Sequence, residues 1–170
     1  IRYIGCSNLP SWQVVESQWI SKSMGLNRFV SCQDEYNILN RNVEAELIPA
    51  MQKYGCGLLP YFPLASGLLT GKYKRTEMPE GARLTDMPTF ANRIYLTDEN
   101  FDIVDNLHKF ANKTGHSILE LAFGWMASRP TTASIIAGAT KPEQIDANVA
   151  AVNWVLSQSE IDEVDKISAR

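Results

Sequence analysis

The sequence reads SIIAGATKPEQIDAN over residues 134–148, and this stretch contains one strand-to-helix transition. The apolar run at 134–137 is short and contains two β-branched isoleucines, which favours a buried strand. After Gly138, the segment from Thr140 to Glu143 has the spacing of a capping box, with a proline early in the first turn. The stretch therefore predicts a strand that leads directly into the N-terminus of a helix.

Three earlier segments repeat this pattern, because each has a short apolar run followed by a break and an amphipathic stretch. Alternating strands and helices of this kind form a parallel sheet built from βα units. The three earlier predicted strands cover residues 3–6, 29–33 and 57–61.

The predicted helices have recognisable starts and ends. The first begins after Pro10, and the second covers about 43–53 with a kink at Pro49, since an interior proline removes a hydrogen bond. The third covers about 97–115. Two further helices begin at the capping boxes that Ser117 and Ser157 open.

About four βα units and a C-terminal helix fit into the 170 residues. A (β/α)8 barrel takes about 250 residues, so the chain has close to half of a TIM barrel. Neither G-x-G-x-x-G nor G-x-x-x-x-G-K-[ST] follows a predicted strand, which disfavours an open nucleotide-binding sheet. We therefore predict one partial domain over residues 1–170, and the absence of an initial Met suggests a piece of a longer chain.

Residues 62–96 form a long connection without sustained periodicity. Connections of this length are usually solvated linkers or functional flaps. This one contains Leu64, Leu68, Tyr73 and Leu84, and is too apolar for a linker. We predict a flap.

Composition excludes several classes of protein. Sixteen basic and 19 acidic residues give a net charge of −3, which disfavours a nucleic-acid or anionic-membrane surface. No apolar run is long enough to span a bilayer, so we expect no membrane insertion. Three cysteines without a C-x-x-C spacing predict neither a disulfide framework nor a metal site, and are typical of buried thiols in a reducing compartment.

Polar and aromatic side chains follow the predicted strands, where active sites of barrels lie. Ser7, Asn8 and Gln33 offer hydroxyl and amide groups that suit a carboxamide, and the ring of Tyr61 suits stacking on a flat heterocycle. The helix after Thr140 offers free N–H groups to a phosphate. Each residue also has a structural interpretation, as a helix cap, a strand cross-link or a rim aromatic.

No catalytic acid or base is evident in the sequence. His108 and His116 lie away from the predicted strand ends, and neighbouring Asp34 and Glu35 point to opposite sides of an extended strand. We therefore predict a binding wall without a catalytic residue.

Four segments together resemble the aldo-keto reductase family, and the resemblance covers nearly the whole chain. The loops are most similar to the bacterial-type and potassium-channel β-subunit-like branch. The segments are IRYIGCSN at 1–8, QDEYNILNR at 33–41, YFPLASGLLTGKY at 61–73 and IIAGATKPEQIDAN at 135–148.

This resemblance implies the C-terminal half of a (β/α)8 barrel in a cytoplasmic, NADPH-dependent reductase of small aldehydes or ketones. The family's catalytic residues lie in the first four βα units, so the partner of this chain would be the missing N-terminal half. A non-catalytic, NADPH-sensing regulatory subunit is the alternative, and a free-standing interaction module is a weaker one. Two unpaired sheet edges also predict self-association.

The resemblance also implies the cofactor-binding residues. Arg83 is the first cation expected at the phosphate that distinguishes NADPH from NADH, and Lys141 is expected to assist it. The family often has other residues at the positions of Ala137 and Ala147. The difference at Ala147 affects a contact with the adenine. The implied residues are Ser7, Asn8, Gln33 and Tyr61 for the nicotinamide, Phe62, Pro63, Leu64, Ala65, Ser66 and Lys72 for the pyrophosphate, Arg83 from the flap, and Gly138, Thr140, Lys141, Gln144 and Asn148 toward the adenosine.

Overall fold

A computed structural model describes residues 1–86 and 95–169 of the chain. Strands and helices alternate through the first part of the chain, and helices dominate the second part. The strands are β1 (Ile4–Ser7), β2 (Phe29–Glu35) and β3 (Gly57–Tyr61). The helices are α1 (Ser11–Met24), α2 (Leu47–Tyr54), α3 (Arg83–Asp86), α4 (Asp98–Lys113), α5 (Ile118–Ala127), α6 (Pro142–Ala151) and α7 (Gln158–Ile167), with 3-10 turns at Asn42–Glu44 and Ala65–Thr70.

The three strands form one parallel sheet in the order β1-β2-β3. Cys6 pairs with Cys32, and Ser7 pairs with Gln33. A Cβ atom at Gly5 would lie 2.4 Å from the Ser31 Oγ and 2.9 Å from the Ser31 carbonyl oxygen. Glycine at this position therefore allows β1 and β2 to approach each other.

The predicted fourth strand at 134–137 is not a regular strand in the structure. The chain does run parallel to β3 here: Leu58 N donates to the Thr131 carbonyl at 2.7 Å, and Ala133 N donates to the Leu58 carbonyl at 2.8 Å. The next donor on β3 would be Pro60, which has no N–H. The Pro60 carbonyl still accepts from Ile136 N at 2.9 Å, but only one regular bridge remains among the described residues of this segment, between Leu58 and Thr132.

The capping boxes at Ser117 and Ser157 are confirmed. The Glu120 carboxylate accepts from Ser117 N at 2.8 Å, and the Glu160 carboxylate accepts from Ser157 N at 2.7 Å. These hydrogen bonds hold the pKa of each carboxyl below its ordinary value.

The kink predicted at Pro49 is wrong, because the helix begins later than expected. A 3-10 turn occupies Asn42–Glu44, and α2 begins at Leu47, so Pro49 lies in the first turn. The N–H groups of a first turn have no helical partner, and proline costs little there.

The described part of residues 62–96 packs against the core. Leu68, Leu69 and Leu84 are fully buried, and Tyr73 is 3% exposed. The Tyr73 hydroxyl accepts from Leu84 N at 3.0 Å, which attaches the start of α3 to the 3-10 turn region. This packing differs from that of a solvated linker, and the flap stays a prediction, of which residues 87–94 lie outside the described residues.

Candidate functional site

The carboxyl ends of the three parallel strands lie at one edge of the sheet and bring four predicted site residues together. The Tyr61 hydroxyl donates to Asn8 Oδ1 at 2.8 Å, and Asn8 Nδ2 donates to Ser7 Oγ at 3.2 Å. Ser7 Oγ donates to the Gln33 backbone carbonyl at 2.9 Å. A continuous chain of hydrogen bonds therefore connects all three strand ends.

The backbone conformation of Asn8 positions the middle of this series of hydrogen bonds. Asn8 has φ of +56°, in the left-handed region that asparagine tolerates better than most residues. Its backbone N–H donates to the Gln33 carbonyl at 3.2 Å. This turn places the Asn8 amide over the edge of the sheet, within reach of Tyr61.

The Gln33 side chain is exposed beside this cluster. Its amide makes no hydrogen bond with any residue in 1–86 or 95–169, so it can both donate to and accept from a ligand. Burial raises the pKa of the Tyr61 phenol, which therefore remains a neutral donor at physiological pH.

The loop after β3 has an unusual concentration of positive φ values. Phe62 has φ of +52°, Ala65 +48°, Ser66 +56° and Gly67 +100°. Such conformations cost free energy in non-glycine residues and persist only where surrounding contacts hold them. Buried Pro63 and Ala65, and the hydrogen bond from Gly67 N to the Leu64 carbonyl at 2.7 Å, supply those contacts.

Two predicted cations flank this loop. The Arg83 guanidinium lies 5.4 Å from the centre of the Phe62 ring, and Lys72 Nζ lies 5.1 Å from the centre of the Tyr73 ring. A Cβ atom at Gly67 would approach Lys72 Nζ to 3.3 Å, so the lysine packs directly on the loop. Within the described parts of the chain, neither cation is in an ion pair, and both are exposed.

The capping box predicted at Thr140 and Glu143 is wrong by one residue. Gln144 Oε1 accepts from Thr140 N at 2.7 Å, Thr140 Oγ1 at 3.2 Å and Lys141 N at 3.2 Å. Lys141 is the N-cap residue, and Pro142 begins α6. The Gln144 amide therefore faces the N-terminus of its own helix, and Glu143 is exposed without a capping role.

Asn148 lies one turn further along α6 and lines a groove of about 550 Å³ with Phe123, Ile135 and Val149. Gly138 is exposed, with open space around its Cα. Hydrogen bonds join the residues around Ser7 to one another, and those around Thr140 to one another. Across the ranges 1–86 and 95–169, no hydrogen bond joins the two groups.

Asp34 and Glu35 lie at the end of β2 on opposite faces, as the alternation predicts. Asp34 is 7% exposed, and burial raises the pKa of its carboxyl while the Asn8 backbone N–H partly lowers it. Glu35 accepts from the Tyr95 hydroxyl and from Asn40 Nδ2. Tyr95 was not identified from the sequence. The feature that could have identified it is its position, where the long connection meets α4.

The two histidines lie away from this edge of the sheet. His116 stacks on Trp154 with ring centres 3.9 Å apart, and its Nδ1 lies 3.2 Å from Glu120 Oε1. His108 lies on α4, and its Nε2 would be 2.7 Å from a Cβ atom at Gly71. Both therefore contact the connections between helices.

Among the residues that the structure describes, no group of three or more His, Cys, Asp or Glu side chains could hold a metal ion. In the same residues, no helix is long and apolar enough to cross a membrane.

Comparisons with known proteins agree with these observations. The model of the aldo/keto reductase family matches residues 1–169. The chain is 38% identical to a probable voltage-gated potassium channel subunit beta from Oryza sativa subsp. japonica, over 98% of this chain and 51% of that protein. It is 31% identical to protein tas of Escherichia coli, over 98% of this chain and 48% of that protein.

A third relative carries a cofactor in its name. The chain is 33% identical to the NADH-specific methylglyoxal reductase of Escherichia coli, over 94% of this chain and 46% of that protein. The chain thus spans about half the length of these curated relatives. The match of the family model over almost all of its residues establishes that the chain belongs to the aldo/keto reductase family.

Proposed function

We propose that this chain supplies the cofactor-binding wall of a cytoplasmic, NADPH-dependent oxidoreductase that reduces small aldehydes or ketones to alcohols. The observation that carries the proposal is the cluster at the strand ends, where Tyr61, Asn8 and Ser7 are hydrogen-bonded in series beside the Gln33 amide, which has no hydrogen-bond partner among the described residues. This donor and acceptor set fits a nicotinamide carboxamide, which has two N–H donors and a carbonyl acceptor.

In this proposal, Ser7, Asn8 and Gln33 hold the carboxamide, and the ring of Tyr61 stacks on the nicotinamide. The hydrogen bond to Asn8 at 2.8 Å fixes the orientation of the Tyr61 ring before the cofactor binds. Bound NADPH supplies a hydride to the carbonyl carbon of the substrate. The wall's contribution is to orient the ring for that transfer.

The pyrophosphate would lie along the loop at residues 62–66. Its strained backbone is held in place by packing, and Lys72 and Arg83 flank it without ion-pair partners among the described residues. Phosphate oxygens are good acceptors for both cations, and we assign Lys72 to the pyrophosphate and Arg83 to the ribose phosphate of NADPH. In the proposal the adenosine end is held by Gly138, Thr140, Lys141, Gln144 and Asn148.

We propose that residues 1–170 are a single partial domain, the C-terminal half of a (β/α)8 barrel. The outer edge of β1 and the outer edge of residues 131–136 are both free of strand partners in the described chain. The other half would pair with these edges and supply the proton donor that carbonyl reduction requires. The approximately half-length match to the relatives supports this arrangement.

The alternative is a non-catalytic subunit that binds NADPH and regulates a partner. It is favoured by the relatives from Oryza sativa subsp. japonica and Arabidopsis thaliana, each named a probable voltage-gated potassium channel subunit beta, at 38% and 34% identity. Both functions use the same cofactor wall, so cofactor binding alone does not separate them.

The test is a fluorescence titration with NADPH and with NADH, followed by an assay of aldehyde reduction. Both are made on this chain alone and on the longest polypeptide that its gene encodes. We expect the longer polypeptide to bind NADPH and oxidise it with an aldehyde, and this chain alone to give no turnover. Tight NADPH binding without turnover in the longer polypeptide would favour the regulatory subunit, and no binding would contradict both functions.

A further inference from the structure

The three cysteines lie in or next to the three strands of the sheet. Cys6 of β1 and Cys32 of β2 are register partners, and their Sγ atoms are 3.5 Å apart. Cys56 immediately precedes β3 and interacts electrostatically with Cys32. The parallel register places Cys6 beside Cys32, whereas the register partner of Cys32 on β3 is Leu58, two residues beyond Cys56.

The three thiols differ in their partners and in their access to solvent. Cys56 accepts from Gln18 Nε2 at 3.2 Å and donates to the Phe29 carbonyl at 3.4 Å. Cys32 is fully buried. Cys6 is half-buried and is the most accessible of the three, and its Sγ points to Cys32 and to the Ser31 carbonyl.

The spacing of the strands suits a covalent bond between Cys6 and Cys32. Neighbouring strands lie about 4.8 Å apart, and disulfides join Cα atoms about 4.4–6.8 Å apart. A disulfide needs its sulfurs at about 2.05 Å, so the 3.5 Å contact has to shorten. Side-chain rotation provides that movement without a change of strand register.

We propose that Cys6 and Cys32 are a redox-active pair that forms an intramolecular disulfide on reaction with a hydroperoxide. The Cys6 thiolate attacks one peroxide oxygen, the O–O bond breaks, and the departing oxygen takes a proton to leave as water or an alcohol. Cys6 is then a sulfenic acid. The Cys32 sulfur attacks the Cys6 sulfur, the S–O bond breaks, and the hydroxyl leaves as water with the Cys32 proton. Two thiols are oxidised, and one hydroperoxide is reduced.

The surroundings make this reaction slow. Burial raises the pKa of both thiols above the ordinary value, so the thiolate that attacks the peroxide is scarce at neutral pH. The pair is therefore suited to sustained oxidising conditions. The rate of disulfide formation should increase with pH across the neutral and alkaline range.

The disulfide would join the strand ends next to the site. Ser7 and Gln33 directly follow the two cysteines, and Ser7 Oγ already donates to the Gln33 carbonyl at 2.9 Å. The bond would close a loop that contains α1 and would tie β1 to β2. Closing a loop in the unfolded chain raises the stability of the folded state.

The experiment treats the purified chain with hydrogen peroxide, blocks the remaining thiols, and maps the proteolytic peptides by mass spectrometry. We expect a monomer that has lost two hydrogens, a cross-linked peptide pair containing Cys6 and Cys32, and one alkylated thiol at Cys56. Dithiothreitol should restore three thiols. The oxidised chain should also melt at a higher temperature than the reduced chain.

Three variants complete the test. Cys56→Ala should form the disulfide at a rate within about twofold of the parent, whereas Cys6→Ala and Cys32→Ala should not form it. A cross-link between Cys32 and Cys56, only sulfinic or sulfonic products, or only intermolecular cross-links would overturn the proposal. The peptide map of the unsubstituted chain decides the result even if a variant fails to fold.

Discussion

The Tyr61 hydroxyl lies 2.8 Å from Asn8 Oδ1, although β2 separates β3, which ends at Tyr61, from β1, which ends just before Asn8. The contact is possible because Asn8 turns over the end of β2 with a positive φ, while Tyr61 is the last residue of β3. The two side chains thus span the carboxyl end of the sheet, at the proposed nicotinamide site.

Replacement of Tyr61 separates the role of its ring from that of its hydroxyl. Tyr61→Ala should weaken NADPH binding in the longest polypeptide about tenfold or more, because the stacking surface is lost. Tyr61→Phe should weaken it by less, since it loses only a hydrogen bond of about 1 kcal/mol that orients the ring. Fluorescence titration measures both dissociation constants, and equal effects would assign the main role to the hydroxyl.

Arg83→Ala tests the preference between the two cofactors. Arg83 lies over Phe62 without an ion-pair partner among the described residues, so its guanidinium is available to the ribose phosphate of NADPH. A charge-assisted hydrogen bond of about 1.5–3 kcal/mol corresponds to about tenfold to a hundredfold in affinity. The dissociation constant for NADPH should rise by that factor, while that for NADH changes little.

A matched comparison makes the Arg83 result specific. Lys72→Ala removes the neighbouring cation that we assign to the pyrophosphate, and it should weaken both cofactors equally. Equal weakening by Arg83→Ala would instead assign Arg83 to the pyrophosphate or to the fold. The family relative named as an NADH-specific reductase makes this comparison necessary.

The sequence predicts best where one local rule decides the structure. The capping boxes at Ser117 and Ser157 are each specified by two residues three positions apart, and both form as expected. The fourth strand fails because a residue on its neighbour, Pro60, cannot donate to the ladder. Such a failure depends on which strands are adjacent, and a local pattern does not contain that information.

In the candidate site, too, local sequence patterns predict some features, and contacts between distant residues decide the others. The positions of Ser7, Gln33 and Tyr61 at strand ends follow from the strand pattern, and the structure connects them by hydrogen bonds. The capping box predicted at Thr140 and Glu143 lies one residue later, because Pro142 at the first helical position makes Lys141 the N-cap and Gln144 the capping side chain. Tyr95 is distant in sequence from Glu35, and only the folded chain brings them together.

Gly5 is required for the pairing of β1 with β2. Gly5→Ala would place a Cβ atom 2.4 Å from Ser31 Oγ and 2.9 Å from a backbone oxygen, so the strands must move apart. We expect a loss of about 1–3 kcal/mol in the free energy of unfolding. Gly138→Ala is the control, because its Cβ atom meets nothing within 4 Å, and it should change stability by less than about 0.5 kcal/mol. Urea denaturation measures both.

Asp34 gives a pH-dependent prediction. Burial raises the pKa of its carboxyl above the unfolded value, so the ionised form destabilises the folded chain at neutral pH. This cost disappears as the pH falls through the raised folded pKa, because the carboxyl is then protonated. The difference in unfolding free energy between Asp34→Asn and the parent should therefore be most favourable to the variant near neutral pH. It should decline in acid, and a difference that grows as the pH falls would contradict the assignment.

The chain alone should self-associate, because apolar side chains are exposed on both flanks of the sheet. On the β1 side, Trp12, Trp19 and Met24 of α1 are 62%, 59% and 68% exposed. On the other side, Ile145 and Val149 of α6 are 56% and 64% exposed. Exposed apolar surface of this kind, next to unpaired sheet edges, favours association with another chain.

Sedimentation velocity at several concentrations measures this association. We expect a sedimentation coefficient that increases with concentration, and a smaller increase for Trp19→Lys and Val149→Lys, because a charge on the apolar face opposes its burial. Asn106→Lys is the control, since it adds the same charge at an exposed position of a different helix, α4. Association reduced equally by all three variants would indicate a net-charge effect. A monomer at every concentration would show that these edges and faces do not associate in the isolated chain.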